Sequence, residues 1–200
     1  MTLIKSISGI RGTIGGKQGD ALTPIDVVKF TSAFGTLIKR NSDKDCKIVV
    51  GRDARLSGDL VNRLVTGTLM GLGIDVIDLG LSTTPTVEMA VVMEKANGGI
   101  ILTASHNPKQ WNALKLLNSK GEFISDELGK EVLQIAENNQ IEYAEVDKLG
   151  TVELRNDYIQ KHIDEILKLE FTASTTTLKS AALMASVSTN SSFRISSICF

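Results

Sequence analysis

The sequence is poor in cysteine, proline and aromatic residues, and it carries almost no net charge. Two cysteines, Cys46 and Cys199, lie far apart in 200 residues, which excludes a dense disulfide framework. The formal net charge of −1 gives no reason to expect nucleic acid or an anionic membrane as a partner. No apolar run approaches the ~18–20 residues of a membrane span, and residues 1–5 lack the features of a signal peptide. We therefore expect a cytoplasmic protein with reduced thiols.

Short apolar segments alternate with segments of helical periodicity along most of the chain. Strands are predicted at residues 3–8, 47–51, 74–79, 99–103 and 113–117. Helices are predicted at residues 24–40, 57–72, 85–95, 126–138 and 154–168, and the glycine-rich stretch 9–20 is predicted to be a loop. This alternation indicates an α/β fold, with a mixed, largely parallel sheet that carries helices on both faces.

Polar residues follow several of the predicted strands. Ser105-His106-Asn107-Pro108 comes directly after the strand at 99–103, and Gly51-Arg52-Asp53 ends the strand at 47–51. In sheets of this class, ligands bind outside the carboxyl ends of the strands. We therefore expect the functional site at this edge of the sheet.

Ser105 is the candidate reactive residue of that edge. Its hydroxyl stands beside the imidazole of His106, with the ammonium group of Lys115 a few residues further on, in a turn favoured by Asn107 and Pro108. A hydroxyl that carries a phosphoryl group needs cationic neighbours, because phosphoserine brings about −1.5 to −2 charges. Lys115 can supply one positive charge, and His106 a second one or a proton. From chemistry alone, a plain turn remains the alternative interpretation.

Three segments carry a resemblance to a known family. T-A-S-H-N-P at 103–108, followed by N-x-x-K at 112–115, resembles the phosphoserine loop of the α-D-phosphohexomutases. That family includes phosphoglucomutases, phosphomannomutases and phosphoglucosamine mutases. S-G-I-R-G at 8–12 is similar to its N-terminal arginine loop, and G-R-D-A-R-L-S-G at 51–58 is similar to another of its segments. The resemblance extends over residues 2–168.

The resemblance implies an isomerase that moves a phosphoryl group within a sugar phosphate through a phosphoserine. It implies that Ser105, His106, Lys115 and Arg11 are catalytic, and that Arg11, Asn107 and Lys115 bind the phosphate. It further implies Mg²⁺ beside the phosphate on Ser105, and a hexose 1,6-bisphosphate as activator and intermediate. The family's triple-aspartate metal loop belongs to its second domain, and the sequence contains no such run.

Arg52, Asp53 and Arg55 lie close together in the segment after the strand at 47–51. They could bind phosphate, but we expect them to pair with each other and to shape the loop beside the site, because an aspartate next to arginines is satisfied locally. The stretch Gly12–Lys17 is not a phosphate-binding P-loop, since Arg11 and Gln18 occupy positions where that motif needs glycine and a hydroxyl residue.

The composition changes abruptly after Glu170, because residues 172–200 hold eight serines, five threonines and no acidic residue. The predicted organisation is a first domain at 1–150 with the serine loop, a helix at 151–171 leading into the start of a second domain, and an aberrant tail at 172–200. We hypothesise that a frameshift or premature termination replaced the continuation of the chain. The chain is then expected to be an incomplete and inactive copy.

The expected partner is a small sugar phosphate, and the expected reaction interconverts hexose 6-phosphate and hexose 1-phosphate. Phosphoglucosamine mutase is favoured over phosphomannomutase or phosphoglucomutase. A noncatalytic domain that binds phosphate ligands or a partner is the alternative. A serine hydrolase is rejected, because adjacent Ser and His side chains rarely face each other and no G-x-S-x-G elbow is present.

Overall fold

The computed structural model describes residues 1–6, 9–42 and 45–169. Its strands are β1 (Ile4–Ser6), β2 (Gly9–Thr13), β3 (Lys47–Arg52), β4 (Asp75–Leu81), β5 (Gly98–Leu102), β6 (Trp111–Leu117) and β7 (Val152–Leu154). Its helices are α1 (Pro24–Arg40), α2 (Gly58–Gly71), α3 (Thr84–Met93), α4 (Asp126–Asn138) and α5 (Tyr158–Lys168). Met1–Asn156 forms one compact unit, and α5 belongs to a second unit that begins at Asp157. The predicted tail at 172–200 lies outside the described residues.

The strands form one mixed sheet in the order β1-β2-β6-β5-β3-β4-β7. β3 pairs in parallel with both β4 and β5, and β4 pairs in parallel with β7. The other pairings, β1 with β2, β2 with β6 and β5 with β6, are antiparallel. The predicted mixed α/β class is confirmed, with parallel pairing in the half of the sheet that contains β3, β4, β5 and β7.

Helices cover both faces of this sheet. Ile48 and Val50 of β3 belong to a hydrophobic core that also contains the apolar residues of α1, α2 and α4. Gly51 projects to the opposite face, since successive residues of a strand alternate between faces. A Cβ atom at Gly51 would lie 2.5 Å from a methyl carbon of Val87, so α3 packs closely on that face.

The start of α1 follows from its sequence. Thr23 has an extended backbone, and its hydroxyl accepts a hydrogen bond from the amide of Asp26 at 3.4 Å. The Asp26 carboxylate accepts the amide of Thr23 in return at 3.1 Å, which completes a capping box. Pro24 occupies the first turn, where its missing amide hydrogen costs nothing. The predicted helix at 24–40 is confirmed, and so is the helix at 126–138.

Two predicted segments differ in the structure. The glycine-rich loop predicted at 9–20 begins as strand β2, because Gly9 and Gly12 allow neighbouring backbone to approach closely. A Cβ atom at Gly9 would lie 2.2 Å from the Leu114 carbonyl oxygen, and one at Gly12 would lie 3.0 Å from the Leu22 nitrogen. The helix predicted at 154–168 begins only at Tyr158, since Val152–Leu154 is extended as β7 beside β4.

The predicted strand at 3–8 is described as far as Ser6. Among the described residues, no helix combines the length and the apolar character needed to cross a membrane.

Candidate active site

Strand β5 brings Ser105 to the edge of the sheet where the parallel strands end. Beyond the strand, the buried Thr103 accepts the Ser105 amide hydrogen on its hydroxyl oxygen at 3.0 Å. Ser105 itself is exposed and has a left-handed backbone, with φ of 54°. Because this region is unfavourable for residues other than glycine, neighbouring contacts must hold the serine in it.

The antiparallel strands β6 and β2 bring two cations beside the serine loop. Lys115 lies opposite Ile101 of β5, and Arg11 of β2 lies opposite Ala113 of β6. Ile10, the neighbour of Arg11, belongs to the hydrophobic core on the opposite face. Arg11 and Lys115 therefore project from the same face of the sheet, the face on which α3 packs.

These residues enclose a cavity of about 270 Å³ at the sheet edge. Its lining consists of Gly9, Arg11, Thr103, Ala104, Ser105, His106, Asn107, Ala113, Lys115 and Phe123. The structure thus brings together all five residues that the sequence singled out for the site. Within the described part of the chain, neither Arg11 nor Lys115 forms a salt bridge, so both positive charges can face an anion in the cavity.

Asn107 lines the cavity but also stabilises the turn. Its backbone amide donates to the Ala104 carbonyl at 3.1 Å, and its side-chain nitrogen donates to the same oxygen at 2.8 Å. His106 is exposed and also lines the cavity. The structure thus gives Asn107 a role in the turn, and its phosphate contact stays a prediction.

Glu88 of α3 is the acidic neighbour of Lys115. Burial raises the pKa of Glu88 above its ordinary value of 4.5, and the positive charge of Lys115 works in the opposite direction. On its other side, the ammonium group of Lys115 lies 5.8 Å from the centre of the Phe123 ring, a cation–π distance. Neither neighbour was evident from the sequence, because both approach Lys115 through tertiary packing.

Arg55 is a second arginine that contacts the serine loop. It forms a salt bridge to Asp53, with 3.2 Å between Nε and Oδ2, and its backbone amide donates to the other carboxylate oxygen at 3.0 Å. Its guanidinium also donates to backbone carbonyls of the loop. Arg52 donates instead to the backbone carbonyl of Asp53 at 3.4 Å. The expected pairing is confirmed for Asp53 and Arg55, whereas Arg52 contacts the Asp53 backbone and not its carboxylate.

Asn112, a residue of the N-x-x-K pattern, ties the start of β6 to Ser57, the N-cap residue of α2. Its side chain is fully buried, and its nitrogen donates to the Ser57 hydroxyl at 3.0 Å. Its side-chain oxygen accepts the Ala113 amide at 2.8 Å. Asn112 therefore fixes the start of β6, and through β6 the position of Lys115.

The described residues do not fit a magnesium site by themselves. Mg²⁺ prefers an octahedral shell of oxygen ligands, several of them carboxylates or phosphate oxygens. No three His, Cys, Asp or Glu side chains of the described segments meet in a group that could hold an ion. The nearby carboxylate of Asp53 already accepts two hydrogen bonds from Arg55.

Comparison with known proteins decides the family. The family model for phosphoglucomutase/phosphomannomutase, alpha/beta/alpha domain I, matches residues 3–142, which include the serine loop and both cations of the cavity. The chain belongs to this family.

Two curated members of the phosphoglucomutase/phosphomannomutase family show the degree of similarity. A phosphoglucomutase/phosphomannomutase of Thermococcus kodakarensis is 36% identical over 159 residues, covering 78% of this chain and 34% of the relative. A phosphoglucosamine mutase of Alkaliphilus metalliredigens is 36% identical over 132 residues, covering 66% of this chain and 28% of the relative. The chain thus spans about a third of the length of these relatives.

A solved structure of a phosphoglucomutase/phosphomannomutase family protein from Burkholderia thailandensis agrees in fold. It superposes with a TM-score of 0.69 at 24% identity, covering 85% of this chain and 37% of that one. This likeness confirms the α/β architecture. The family's relatives are named as mutases, which are isomerases, and this places the domain in an enzyme family.

Proposed function

We propose that this chain supplies the phosphoserine part of a phosphohexomutase active site. The observation that carries the proposal is the cavity in which the exposed Ser105 meets Arg11 and Lys115, two cations without salt bridges in the described part of the chain. The reaction interconverts a hexose 6-phosphate and a hexose 1-phosphate through phosphorylated Ser105 and a sugar 1,6-bisphosphate. Transfer of phosphate between oxygens depends mainly on positioning and charge stabilisation, which such a cavity is suited to provide.

Each step of the proposed reaction exchanges one P–O bond for another. The bond between phosphorus and the Ser105 oxygen breaks while a bond to a sugar hydroxyl oxygen forms, and the hydroxyl proton passes to a base. His106 is the proposed proton acceptor, since it lines the cavity and an imidazole can act as a general base. Arg11 and Lys115 stabilise the charge on the transferring group. The second step returns the other phosphoryl group of the bisphosphate to Ser105.

Magnesium and a hexose 1,6-bisphosphate are the proposed cofactor and activator. Because the described residues do not form a cation site, the protein ligands of the ion would come from outside them. Glucosamine phosphate is the substrate we favour, supported by relatives named phosphoglucosamine mutase. Mannose and glucose phosphates are the alternatives, supported by the Thermococcus relative.

Labelling of Ser105 tests this function directly. The purified chain is incubated with glucose 1,6-bisphosphate and Mg²⁺, and its peptides are examined by mass spectrometry. A single transfer is enough for detection, so prolonged incubation should add one phosphate to Ser105 even at the slow rate expected of this chain alone, and none in the Ser105→Ala variant. Phosphate on a different serine, with Ser105 unmodified, would contradict the assignment. Tight phosphate binding without labelling would instead favour the alternative of a noncatalytic phosphate-binding domain.

A further inference from the structure

The guanidinium group of Arg55 has an acceptor for every one of its hydrogens. Nε donates to Asp53 at 3.2 Å. The two terminal nitrogens donate to four backbone carbonyls of the segment that follows β5, those of Ser105, Asn107, Pro108 and Trp111. A guanidinium has five N–H donors in a rigid planar fork, and these five contacts use all of them.

Arg55 differs from the two cations of the cavity, Arg11 and Lys115, because all of its N–H donors are already used. A phosphate ligand needs free N–H groups, and Arg55 has none in this arrangement, whereas Arg11 lines the cavity without a salt bridge in the described residues. The side chain of Arg55 is also largely buried, with 10% of its surface exposed. Its acceptors are main-chain atoms, so it holds the path of the backbone rather than any particular side chain.

The backbone path that Arg55 holds includes the unfavourable conformation of Ser105. Ser105 is left-handed, and its own carbonyl is one of the four acceptors of Arg55. Within one short segment, three further carbonyls are fixed by the same planar group. Hydrogen bonds from an ionised donor are stronger than neutral ones, so together they can offset the local strain.

We propose that Arg55 is a positioning residue for phosphoryl transfer, which keeps the Ser105 backbone in the conformation that presents its hydroxyl to Arg11 and Lys115. This inference rests on the proposed function of Ser105 and extends it to a residue that does not touch the phosphate. Asp53 orients Arg55 through its two hydrogen bonds. Lysine cannot replace Arg55, because an ammonium group has three donors and lacks the planar fork.

The test uses the 200-residue chain with Arg55→Met, which removes all donors, and Arg55→Lys, which keeps the charge but loses the fork. Arg63→Met is the matched control, since Arg63 is exposed on α2 and pairs with Asp59 one turn away. Amide hydrogen exchange measures how strongly the backbone amides of the loop at residues 104–111 are protected. Phosphoserine introduced at position 105 by genetic-code expansion is titrated by ³¹P NMR, which measures the second pKa of its phosphate.

In both Arg55 variants, the amides of the loop should exchange their hydrogens at least about tenfold faster than in the parent chain. In the Arg63 control, these exchange rates should be unchanged. In the parent chain the phosphate should titrate below its ordinary value of about 6, because Arg11 and Lys115 face it. In both Arg55 variants the pKa should return toward that value. In a double variant, Arg55→Met with Arg11→Met, the second pKa of the phosphate should be little higher than in Arg55→Met alone.

Two results would overturn the inference. One is unchanged loop exchange in both Arg55 variants. The other is a phosphate pKa that stays low in Arg55→Lys but rises in Arg55→Met, since this would make Arg55 a charge partner of the phosphate. If Arg55→Met does not fold, Arg55→Lys and Asp53→Asn give the same readouts.

If the proposed function of Ser105 is wrong, the titration of the phosphate should give a different result. The phosphate of the parent chain would then titrate at its ordinary value, whatever residue stands at position 55. In that case the loop exchange alone still decides whether Arg55 holds Ser105.

Discussion

Lys115 lines the proposed site together with the serine loop, and its neighbours include the Phe123 ring and the carboxyl group of Glu88. Its position on β6 is rigid, because the flanking Leu114 and Leu116 are buried in the core. A cation held in this way can stabilise charge in a transition state without first rearranging. This distinguishes Lys115 from lysines on exposed turns.

We expect Lys115→Met to lower the rate of phosphate incorporation at Ser105 by about 100-fold, the usual cost of removing one preorganised donor. Lys120→Met is the control, since Lys120 is an exposed residue of the turn after β6. The rate is measured with glucose 1,6-bisphosphate by intact-mass spectrometry. Equal rates in the two variants would remove Lys115 from the proposed mechanism.

Glu88→Gln should stabilise the protein at pH 7 and have little effect below pH 4. Burial raises the pKa of Glu88 in the folded state, so the fold disfavours its ionised form. The protonated carboxyl contributes its full stability below the ordinary value of 4.5, and this contribution is lost as the pH rises through the folded pKa. Glutamine mimics the neutral form at every pH, so it avoids this loss.

Urea unfolding at pH 7 and pH 4 measures the effect, with the exposed Glu142→Gln as control. A lower urea midpoint for Glu88→Gln at pH 7 would show that the attraction between Glu88 and Lys115 outweighs the cost of burial.

At the scale of elements, glycines decide how closely helices and strands approach the sheet. Gly51 of β3 lies under α3, where an added Cβ atom would lie 2.5 Å from a Val87 methyl carbon. Gly67 on α2 is exposed, and nothing lies within 4 Å of the corresponding position. The same substitution therefore tests two different physical effects at these two glycines.

Gly51→Ala should lower the free energy of unfolding by about 1–3 kcal/mol, the cost of overpacking a tight interface. Gly67→Ala should raise it by up to about 1 kcal/mol, because alanine favours the helix more than glycine does. Urea unfolding of both variants measures the difference. A stabilising effect of Gly51→Ala would show that α3 moves away from β3 at little cost.

The sequence predicted those helices and strands that are determined by residues close together in the chain. The cap at Thr23 and the apolar periodicity that follows it predicted α1, because a helix forms from residues a few positions apart. β2 was missed, since Gly9 and Gly12 indicate a loop locally and only pairing with β1 and β6 makes the segment a strand. The start of α5 was missed because β7 owes its extended form to its neighbour β4.

At the scale of the whole molecule, the chain provides one side of the proposed site. The described residues hold the serine, the imidazole and two cations, but no group of carboxylates for a metal ion. The segments that the chain matches make up 34% and 28% of two curated relatives. Phosphoryl transfer needs charge stabilisation and fixed orientation of the substrate together.

We therefore expect the 200-residue chain alone to turn over glucosamine 6-phosphate, mannose 1-phosphate or glucose 1-phosphate slower than a full-length mutase by many orders of magnitude. A coupled mutase assay with Mg²⁺ and the matching bisphosphate measures this, with the Ser105→Ala variant as background. Robust turnover that depends on Ser105, from a preparation free of host mutase, would show that this chain is sufficient for catalysis.

The sequence by itself determined the α/β class, the bounds of α1 and α4 and the identity of the serine loop. Each of these depends on residues that are close in the chain: the hydrophobic period of a helix, a cap and its partner, or the contiguous pattern T-A-S-H-N-P. The resemblance to the phosphohexomutases rests on the same contiguous residues, so it too follows from the order of amino acids alone.

The resemblance implied that Arg11 and Lys115 belong to the site, but only the tertiary structure shows how such distant residues come to lie beside Ser105. Arg11 reaches the cavity because β2 lies beside β6, and Glu88 reaches Lys115 because α3 packs on that face of the sheet. Arg55 can donate to its four carbonyls because β3 and β5 are parallel neighbours, so the segments that follow these strands begin next to each other at one edge of the sheet. Strand order and register follow from burial of the whole core, a long-range property that no local pattern contains.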